Sequence, residues 1–336
     1  MKTIRDIEQA CEAGHSLDFS RHDQEAPELT FSNLYYLLGF PTEVRTNSVR
    51  ALELMDELWG RFEKQYDTEP IVIEIYAVDG DSSTECPPPP VYRFMMPIFM
   101  SIADGYNYSI VDMERLKVRI SITHATLQHG LYAKYFLLGT PGTCISTQFT
   151  TPVHAGCVAL DGRGVLLCGD SGAGKSTLSY ACARAGWTYI SDDGSYLLNG
   201  RTERRVTGDC YQVRFRPTAT ELFPEIEGLE ITPRAAGKPS IEMPTSSLPT
   251  IACQQTAKVD FLIFLNRDFT GEPGLVRYRK DVARYFLRQT LFGWSKTLPK
   301  QYEAIERLLT GDVFELRYTE LSWAVDRLQR LVRQGC

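Results

Sequence analysis

The sequence predicts two domains, an α+β domain over residues 1–148 and an α/β domain over residues 149–336. The first half contains several short segments of alternating or β-branched residues, which are typical of strands. The second half contains an apolar run, a glycine-rich loop and a helical pattern in direct succession, as in an α/β unit. Between the two halves, residues 141–152 are rich in Gly, Pro, Ser and Thr, which indicates a domain boundary.

The composition excludes several classes of protein. Of the 336 residues, 43% are hydrophobic and 23% are charged, as in an ordinary globular chain. The formal net charge is −6, whereas nucleic-acid binders usually carry a basic excess, so no nucleic-acid partner is expected. The nine cysteines are scattered without a C-x-x-C pair, which favours a reducing, cytoplasmic location over a disulfide framework or zinc site. No signal peptide or long apolar stretch is recognisable, so no membrane span is expected.

In the first domain, the spacing of Val49, Met55 and Phe62 indicates a helix over residues 46–66. Two further helices are predicted, over residues 3–13 and 124–138. In the second of these, the residues expected to face the core are Leu127, Leu131, Tyr135 and Leu138. Four strands are predicted, over residues 70–78, 91–99, 106–111 and 115–122. Residues 16–40 show no regular pattern, and the role of residues 1–148 is left open.

In the second domain, residues 157–160 and 165–168 are predicted to form a hairpin, because Asp161-Gly162 lies between them. Residues 178–185 predict a helix that ends at Gly186, followed by a strand over 187–191. Further strands are predicted around residues 206, 213–215, 231, 241–243, 259–265 and 313–318. Further helices are predicted over residues 281–292, 302–309 and 320–333.

The glycine-rich loop matches the phosphate-binding loop, or P-loop, G-x-x-x-x-G-K-[ST] in every fixed position. Its nine residues, all expected to contact a nucleotide, are Gly169, Asp170, Ser171, Gly172, Ala173, Gly174, Lys175, Ser176 and Thr177. Glycines let the backbone wrap around a phosphate, and the loop N–H groups and helix N-terminus present partial positive charge to it. Lys175 is expected to reach the outer phosphates, and the Ser176 hydroxyl to bind magnesium. The alternative is a chance glycine-rich turn, which the flanking strand and helix disfavour.

Two adjacent acids, Asp192 and Asp193, follow the next predicted strand. In a parallel strand–helix–strand unit, the carboxyl end of that strand lies beside the loop. Phosphoryl transfer requires a proton acceptor and magnesium, and this pair offers one residue for each role. The alternative is a solvated turn, since Ser-Asp-Asp-Gly is also common turn chemistry.

Other candidates are more ambiguous. His154 precedes the predicted hairpin and is either a site residue or an ordinary packed or surface residue. Asp268 follows an apolar run similar to the strand before a Walker B aspartate, so it competes as the metal-binding acid. Arg267 either helps to neutralise the transferred phosphate or forms a surface salt bridge. Five arginines line either an anionic-ligand site or a solvated strand face, namely Arg201, Arg204, Arg205, Arg214 and Arg216.

The stretch from His154 to Asp193 resembles the catalytic domain of the HPr kinase/phosphorylase family. In that family too, a histidine precedes a hairpin, G-x-x-x-x-G-K-S, a helix ending near glycine and an Asp-Asp pair. The resemblance implies a P-loop, mixed-sheet kinase domain of the HPr kinase and phosphoenolpyruvate carboxykinase type. It also implies ATP and Mg²⁺ as cofactors and a protein serine as acceptor. By the same resemblance, Asp192 is the base that activates the hydroxyl, and the acid in the reverse reaction, while His154 and Asp193 support it.

A second segment adds to the resemblance. Residues 225–231 are similar to a Glu-Ile-Arg-Gly-Leu-Gly-Ile segment, which implies a metal-linked role for Glu225. The metal-binding residues expected overall are therefore Ser176, Asp193 and Glu225. The chain departs from the family at Thr177, where glutamate is usual, and at Glu227 and Glu230, which replace an arginine and a glycine.

These observations predict an ATP- and magnesium-dependent kinase that transfers the γ-phosphoryl group to a hydroxyl, a serine of a protein or peptide or a small molecule. One alternative is a nucleotide-dependent regulatory or binding protein. Another is a metabolite enzyme similar to phosphoenolpyruvate carboxykinase, with Arg234 and Lys238 as candidate ligand-binding residues. The acceptor, a reverse phosphorylase activity and the formation of a homo-oligomer are left open.

Overall fold

The computed structural model describes Gln9, Ala13 and residues 26–80, 85–232, 239–248, 250–267 and 270–335. The chain divides into two compact units, Met1–Gln148 and Phe149–Cys336. Apart from Gln9 and Ala13, the helix predicted over residues 3–13 lies outside the described residues. The candidate residues Arg234, Lys238 and Asp268 also lie outside them.

The first unit is built on one seven-stranded mixed sheet. Its strands are β1 (Phe31–Leu37), β2 (Phe40–Thr46), β3 (Ile71–Val78), β4 (Val91–Met95), β5 (Ile98–Ile102), β6 (Tyr108–Asp112) and β7 (Lys117–Thr123). They are arranged in the order β1-β2-β3-β7-β6-β5-β4. The pairs β2–β3 and β3–β7 are parallel, whereas the outer pairs are antiparallel.

Helical segments complete the first unit. Helix α1 (Val49–Trp59) begins at Ser48, whose side chain accepts a hydrogen bond from the Ala51 N–H, as is typical of an N-cap. The later segments are α2 (His124–Gln128), α3 (Gly130–Tyr132), a π-helical stretch (Ala133–Gly139) and α4 (Thr140–Ser146). Because α2 to α4 do not form one regular α-helix, their buried residues do not follow a period of 3.6 residues.

The structure corrects several predictions for this unit. The β1–β2 hairpin was not predicted, and the segment predicted as one strand over residues 91–99 is the β4–β5 hairpin. The helix over residues 46–66 is shorter, and its Val49 is 55% exposed. Leu131 and Tyr135 are exposed rather than inward-facing, because the segment is interrupted at His129 (φ −86°, ψ 63°) and continues as a π-helical stretch from Ala133. The strands predicted near β3, β6 and β7 are confirmed.

The second unit contains a large mixed sheet with helices on both faces. Its strands are β8 (Thr150–Val153), β9 (Ala155–Leu160), β10 (Arg163–Cys168), β11 (Thr188–Ser191), β12 (Ser195–Leu198), β13 (Arg205–Gly208), β17 (Ala252–Cys253), β18 (Thr256–Asn266), β19 (Gly274–Arg277) and β20 (Asp312–Arg317). The main order is β17-β11-β9-β10-β18-β13-β12-β8, and β20 pairs with both β18 and β19. The helices are α5 (Lys175–Arg184), α6 (Lys280–Arg288), α7 (Leu298–Leu308) and α8 (Leu321–Gln334).

Strand β10 lies in the middle of this sheet and is buried on both faces. Its Leu166 and Cys168 belong to a core that includes residues of α6 and α7. Its Val165 and Leu167 belong to the core on the other face, with residues of α5 and α8. A strand covered on both faces is expected to be apolar at every position, which explains the uninterrupted run at residues 165–168.

A smaller three-stranded sheet packs against the remaining side of α5. It is formed by β14 (Gln212–Phe215), β15 (Ile231–Thr232) and β16 (Ser240–Pro244), in the order β14-β16-β15. One core contains Val213 and Phe215 of this sheet together with Tyr180 of α5. The chain around this sheet includes three short 3₁₀ turns, Pro217–Glu221, Pro224–Ile226 and Thr245–Ser247.

Most elements predicted for the second unit are confirmed with small shifts of their ends. The β9–β10 hairpin turns at Asp161 (φ 50°) and Gly162 (φ 76°), which is the left-handed conformation that Asp-Gly favours in a two-residue turn. The α/β class is confirmed, and the seven-stranded sheet of the first unit and the large sheet of the second are mixed, whereas the three-stranded sheet is antiparallel. In the described part of the chain, no helix combines the length and the apolar character needed to cross a membrane.

Candidate functional site

The glycine-rich loop joins the end of β10 to the start of α5 at the carboxyl edge of the large sheet. Gly174, the N-cap of α5, has φ 95°, and Gly172 has φ 94°. A Cβ at Gly172 would meet no heavy atom within 4 Å, so this part of the loop faces open space. The loop therefore adopts a backbone that other residues resist, and it leaves room for a ligand beside the helix N-terminus.

Lys175 is the buried cation of the loop. It is only 5% exposed, and its Nζ donates hydrogen bonds to the carbonyl oxygens of Gly169 (2.8 Å) and Asp170 (3.1 Å). Burial lowers the pKa of Lys175, while the charges of Asp193 and Asp192 are among those that oppose this shift. The ammonium group thus lies within the loop, in the electrostatic field of both aspartates.

Asp192 and Asp193 lie at the same edge of the sheet as the glycine-rich loop, because the strands that precede them run in the same direction. Strand β9 is antiparallel to both β10 and β11, so β10 and β11 run parallel with β9 between them. Their carboxyl ends therefore lie at one edge, where the loop and the Asp192–Asp193 pair follow. The predicted parallel arrangement is present, although the two strands are not direct neighbours.

Buried hydroxyl groups fix the turn that carries the aspartates. The Ser191 and Ser195 Oγ atoms are 2.8 Å apart, and Ser195 Oγ donates to the Ala155 carbonyl oxygen at 3.0 Å. These bonds tie the two ends of the turn to the first residue of β9. Because His154 immediately precedes that residue, the turn and His154 are held side by side.

Asp192 and Asp193 have opposite environments. Asp192 is 8% exposed, and its Oδ2 accepts a hydrogen bond from the Arg214 N–H at 2.9 Å. Burial raises the pKa of Asp192 to about 6, although the Arg214 charge and this hydrogen bond act in the opposite direction. The side chain of Asp193 is 59% exposed, and His154 Nε2 donates to its Oδ1 at 2.9 Å. That hydrogen bond is the main reason why the pKa of Asp193 is lowered.

Gly156 permits the close contact between α5 and the aspartate turn. A Cβ at this position would lie 2.4 Å from Ser179 Oγ and 3.0 Å from the Asp192 carbonyl oxygen. Ser179 is fully buried, and its hydroxyl has no hydrogen-bond partner among the described residues. The absence of a side chain at Gly156 therefore sets how closely the aspartates approach helix α5.

Gly156→Ala is expected to lower the free energy of unfolding by roughly 1–3 kcal/mol, because the added methyl group overpacks this contact. Ser179→Ala alone is expected to be nearly neutral, and in the double variant it should restore part of the loss. Urea unfolding followed by circular dichroism measures each value. Gly105→Ala, where a Cβ meets nothing within 4 Å, is the control. This account of the contact would be contradicted if Gly156→Ala had the wild-type free energy of unfolding. It would also be contradicted if the variant that combines Gly156→Ala with Ser179→Ala were no more stable than Gly156→Ala.

The other predicted residues fall at different places. Ser176 and Thr177 lie half-buried in the first turn of α5. Glu225 is not grouped with them, because its Oε1 accepts a hydrogen bond from Tyr180 at 2.9 Å and lies 3.3 Å from Arg184 Nε. Both partners lie further along α5, so these contacts place Glu225 away from the loop. Arg267 does reach the loop, where it packs against Gly174.

One of the five candidate arginines, Arg214, and one residue that was not a candidate, Tyr318, also lie close to the site. Arg214 lies beside Asp192, whereas Arg204 and Arg205 make separate contacts with Asp260 and Glu203. Of the two alternatives for these arginines, Arg214 therefore fits a place beside the site, whereas Arg204 and Arg205 are engaged elsewhere. Tyr318 lies next to Gly174, and its place at the end of the strand predicted over residues 313–318 was the sequence signal for it.

The residues of the site are compatible with magnesium bound together with a nucleotide. Among the described residues, no group of three or more His, Cys, Asp or Glu side chains is arranged to hold a metal by itself. Magnesium at phosphate sites usually takes one or two protein ligands, with phosphate oxygens and water completing the shell. The Ser176 hydroxyl and the ionised Asp193 carboxylate supply donors of the required kind.

The fold and the site define an α/β protein with a glycine-rich loop and an aspartate pair at one edge of a mixed sheet. No family model matches the chain. No curated protein matches it by sequence. Among solved structures, the Hpr(Ser) kinase/phosphatase from Coxiella burnetii is 15% identical, and the match covers 55% of this chain and 99% of that chain at a TM-score of 0.30. A likeness of this degree establishes neither a family nor an activity.

Proposed function

We propose that this chain is a phosphotransferase that uses ATP and Mg²⁺ and transfers the terminal phosphoryl group to a hydroxyl, such as a serine of a protein or peptide. The observation that carries the proposal is the meeting of three parts at one sheet edge. These are a loop with the P-loop sequence, a buried lysine inside it, and two carboxylates whose charges act on that lysine. Phosphoryl transfer relies on this combination of phosphate positioning, charge neutralisation and proton acceptance.

The proposed division of labour follows from the two aspartate environments. Two carboxyl groups with well-separated pKa values suit separate acid–base and charge-holding roles. In the proposal, Asp192 accepts the proton of the attacking hydroxyl, because a pKa of about 6 suits a base near neutral pH. Asp193 stays ionised and binds magnesium with Ser176, while His154 holds its carboxylate in place. Glu225 is left out of this set, since Tyr180 and Arg184 already contact it.

Lys175 and the loop provide the binding part of the proposed mechanism. The Nζ of Lys175 exchanges its two carbonyl contacts for oxygens of the outer phosphates. The loop N–H groups and the N-terminus of α5 attract the phosphates by their partial positive charge. Bound magnesium supplies further neutralisation of the charge that develops on the phosphoryl group.

The direct test uses the full chain, magnesium and ATP labelled in its γ-phosphate, mixed with fractionated cell extracts. We expect label in an acceptor as an acid-stable, alkali-labile phosphoester, and we expect none when Lys175→Met replaces the wild-type chain. Magnesium chelation should also remove the signal. Nucleotide binding without label transfer across a wide range of extracts, and without hydrolysis of ATP, would support a binding or regulatory protein instead.

A further inference from the structure

The side of the loop opposite the aspartates is formed by the ends of two other strands. Strand β18 pairs parallel to β10, and β20 pairs parallel to β18, so all three end at the same edge. The aspartates approach the loop from the β11 side, whereas Arg267 and Tyr318 directly follow β18 and β20 on the other side. The loop therefore lies between an acidic flank and a flank that carries a cation and a phenol.

Arg267 and Tyr318 both lie beside the last glycine of the loop, in the space that a side chain at this position would occupy. A Cβ at Gly174 would lie 2.8 Å from Arg267 Cδ, 3.5 Å from its Nη1 and 3.2 Å from the Tyr318 Oη. Both polar groups thus lie within a few ångströms of the N-cap of α5. A glycine is needed here for space as well as for its positive φ.

Neither polar group is satisfied within the part of the chain that the structure describes. Tyr318 is only 3% exposed, yet its hydroxyl donates no hydrogen bond to any described residue. No carboxylate among the described residues pairs with the exposed Arg267 guanidinium. Burial raises the pKa of Tyr318, so its hydroxyl remains protonated and able to donate.

We propose that Tyr318 and Arg267 bind the inner phosphates of the nucleotide, the diphosphate portion that remains after transfer. This inference rests on the proposed function. The transferred phosphoryl group must face Asp192, so the rest of the phosphate chain extends toward the opposite flank. There the Tyr318 hydroxyl donates a hydrogen bond, and the Arg267 guanidinium pairs with the phosphate charge.

The test compares the affinities of the full-length Tyr318→Phe and Arg267→Met variants for ADP and for ATP with magnesium, by isothermal titration calorimetry. Each variant is expected to bind both nucleotides about tenfold more weakly, with the same factor for ADP and ATP. Arg330→Met, at an exposed position of α8, should leave both affinities unchanged.

Several outcomes would overturn the inference. Wild-type affinities in both variants would show that the two side chains do not contact the phosphates. A loss for ATP with none for ADP would place them on the transferred phosphate instead. If the wild-type chain binds neither nucleotide, the proposed function itself fails, which is distinguishable from failure of this flank alone. Tyr318→Phe removes only a hydroxyl without a described partner, so its unfolding temperature should match the wild type.

Discussion

Asp192→Asn is expected to abolish phosphoryl transfer while leaving nucleotide affinity within about twofold of the wild type. Removal of a general base typically slows a reaction by about 10²–10⁴-fold. Asparagine has nearly the same shape, and its carbonyl oxygen can still accept the Arg214 N–H bond that Asp192 Oδ2 accepts. The loss should therefore appear in kcat, as measured by initial rates at saturating ATP and magnesium, with binding followed separately by calorimetry.

Asp193→Asn is the matched control, because it changes the neighbouring carboxylate in the same way. It removes the charge held by His154, so this variant should need more magnesium and recover much of its rate when magnesium is raised. Two results together would reverse the roles proposed for Asp192 as base and Asp193 as magnesium ligand. In that case Asp192→Asn would keep more than about a tenth of the wild-type rate, and Asp193→Asn would be inactive at any magnesium concentration.

Lys175→Met should weaken ATP binding by about 10²–10³-fold, the second large effect that we expect. Loss of one partner of a buried charge pair costs about 2–5 kcal/mol, and every 1.4 kcal/mol is a factor of about ten. Methionine is similar in length and suits a position that is 5% exposed, so the nucleotide-free fold should persist. Calorimetry gives the affinity, and thermal unfolding without nucleotide reports on the fold.

Lys300→Met changes an exposed lysine of α7 and should leave ATP affinity unchanged. Wild-type affinity in Lys175→Met would mean that the loop does not hold the phosphates through this ammonium group. A large fall in the unfolding temperature without nucleotide would instead assign Lys175 a structural role, through its bonds to the Gly169 and Asp170 carbonyl oxygens.

The parts predicted well from sequence are those that depend on near neighbours in the chain. The β9–β10 hairpin follows from Asp161-Gly162, and the end of α5 follows from Gly186, whose φ is 89°. The buried run of β10 and the helices α6, α7 and α8 also follow from local patterns. In contrast, Leu34 of β1 is exposed, and β2 includes Pro41 and buries Thr42 and Thr46, so apolar and polar residues do not alternate clearly enough in the sequence to predict this hairpin.

The candidate site was only partly predictable for a related reason. Its loop and aspartates lie within one short stretch, where motif and spacing carry information. Arg214 and Tyr318 come from distant strands, and only long-range pairing places them beside the site. Glu225 shows the opposite case, since a segment similar in sequence places its carboxylate against Tyr180 and Arg184 instead of the loop.

The β9–β10 hairpin joins His154 to Gly169 through two paired strands and a two-residue turn. A single inserted or deleted residue in either strand would exchange its two faces and reverse every side chain that contacts α5 or α6. Chains that descend from the same ancestor should therefore tolerate length variation in the surface loops of this unit far more readily than between His154 and Gly169. Gaps in such an alignment would then mark the freely evolving loops, and an ungapped block would mark the hairpin.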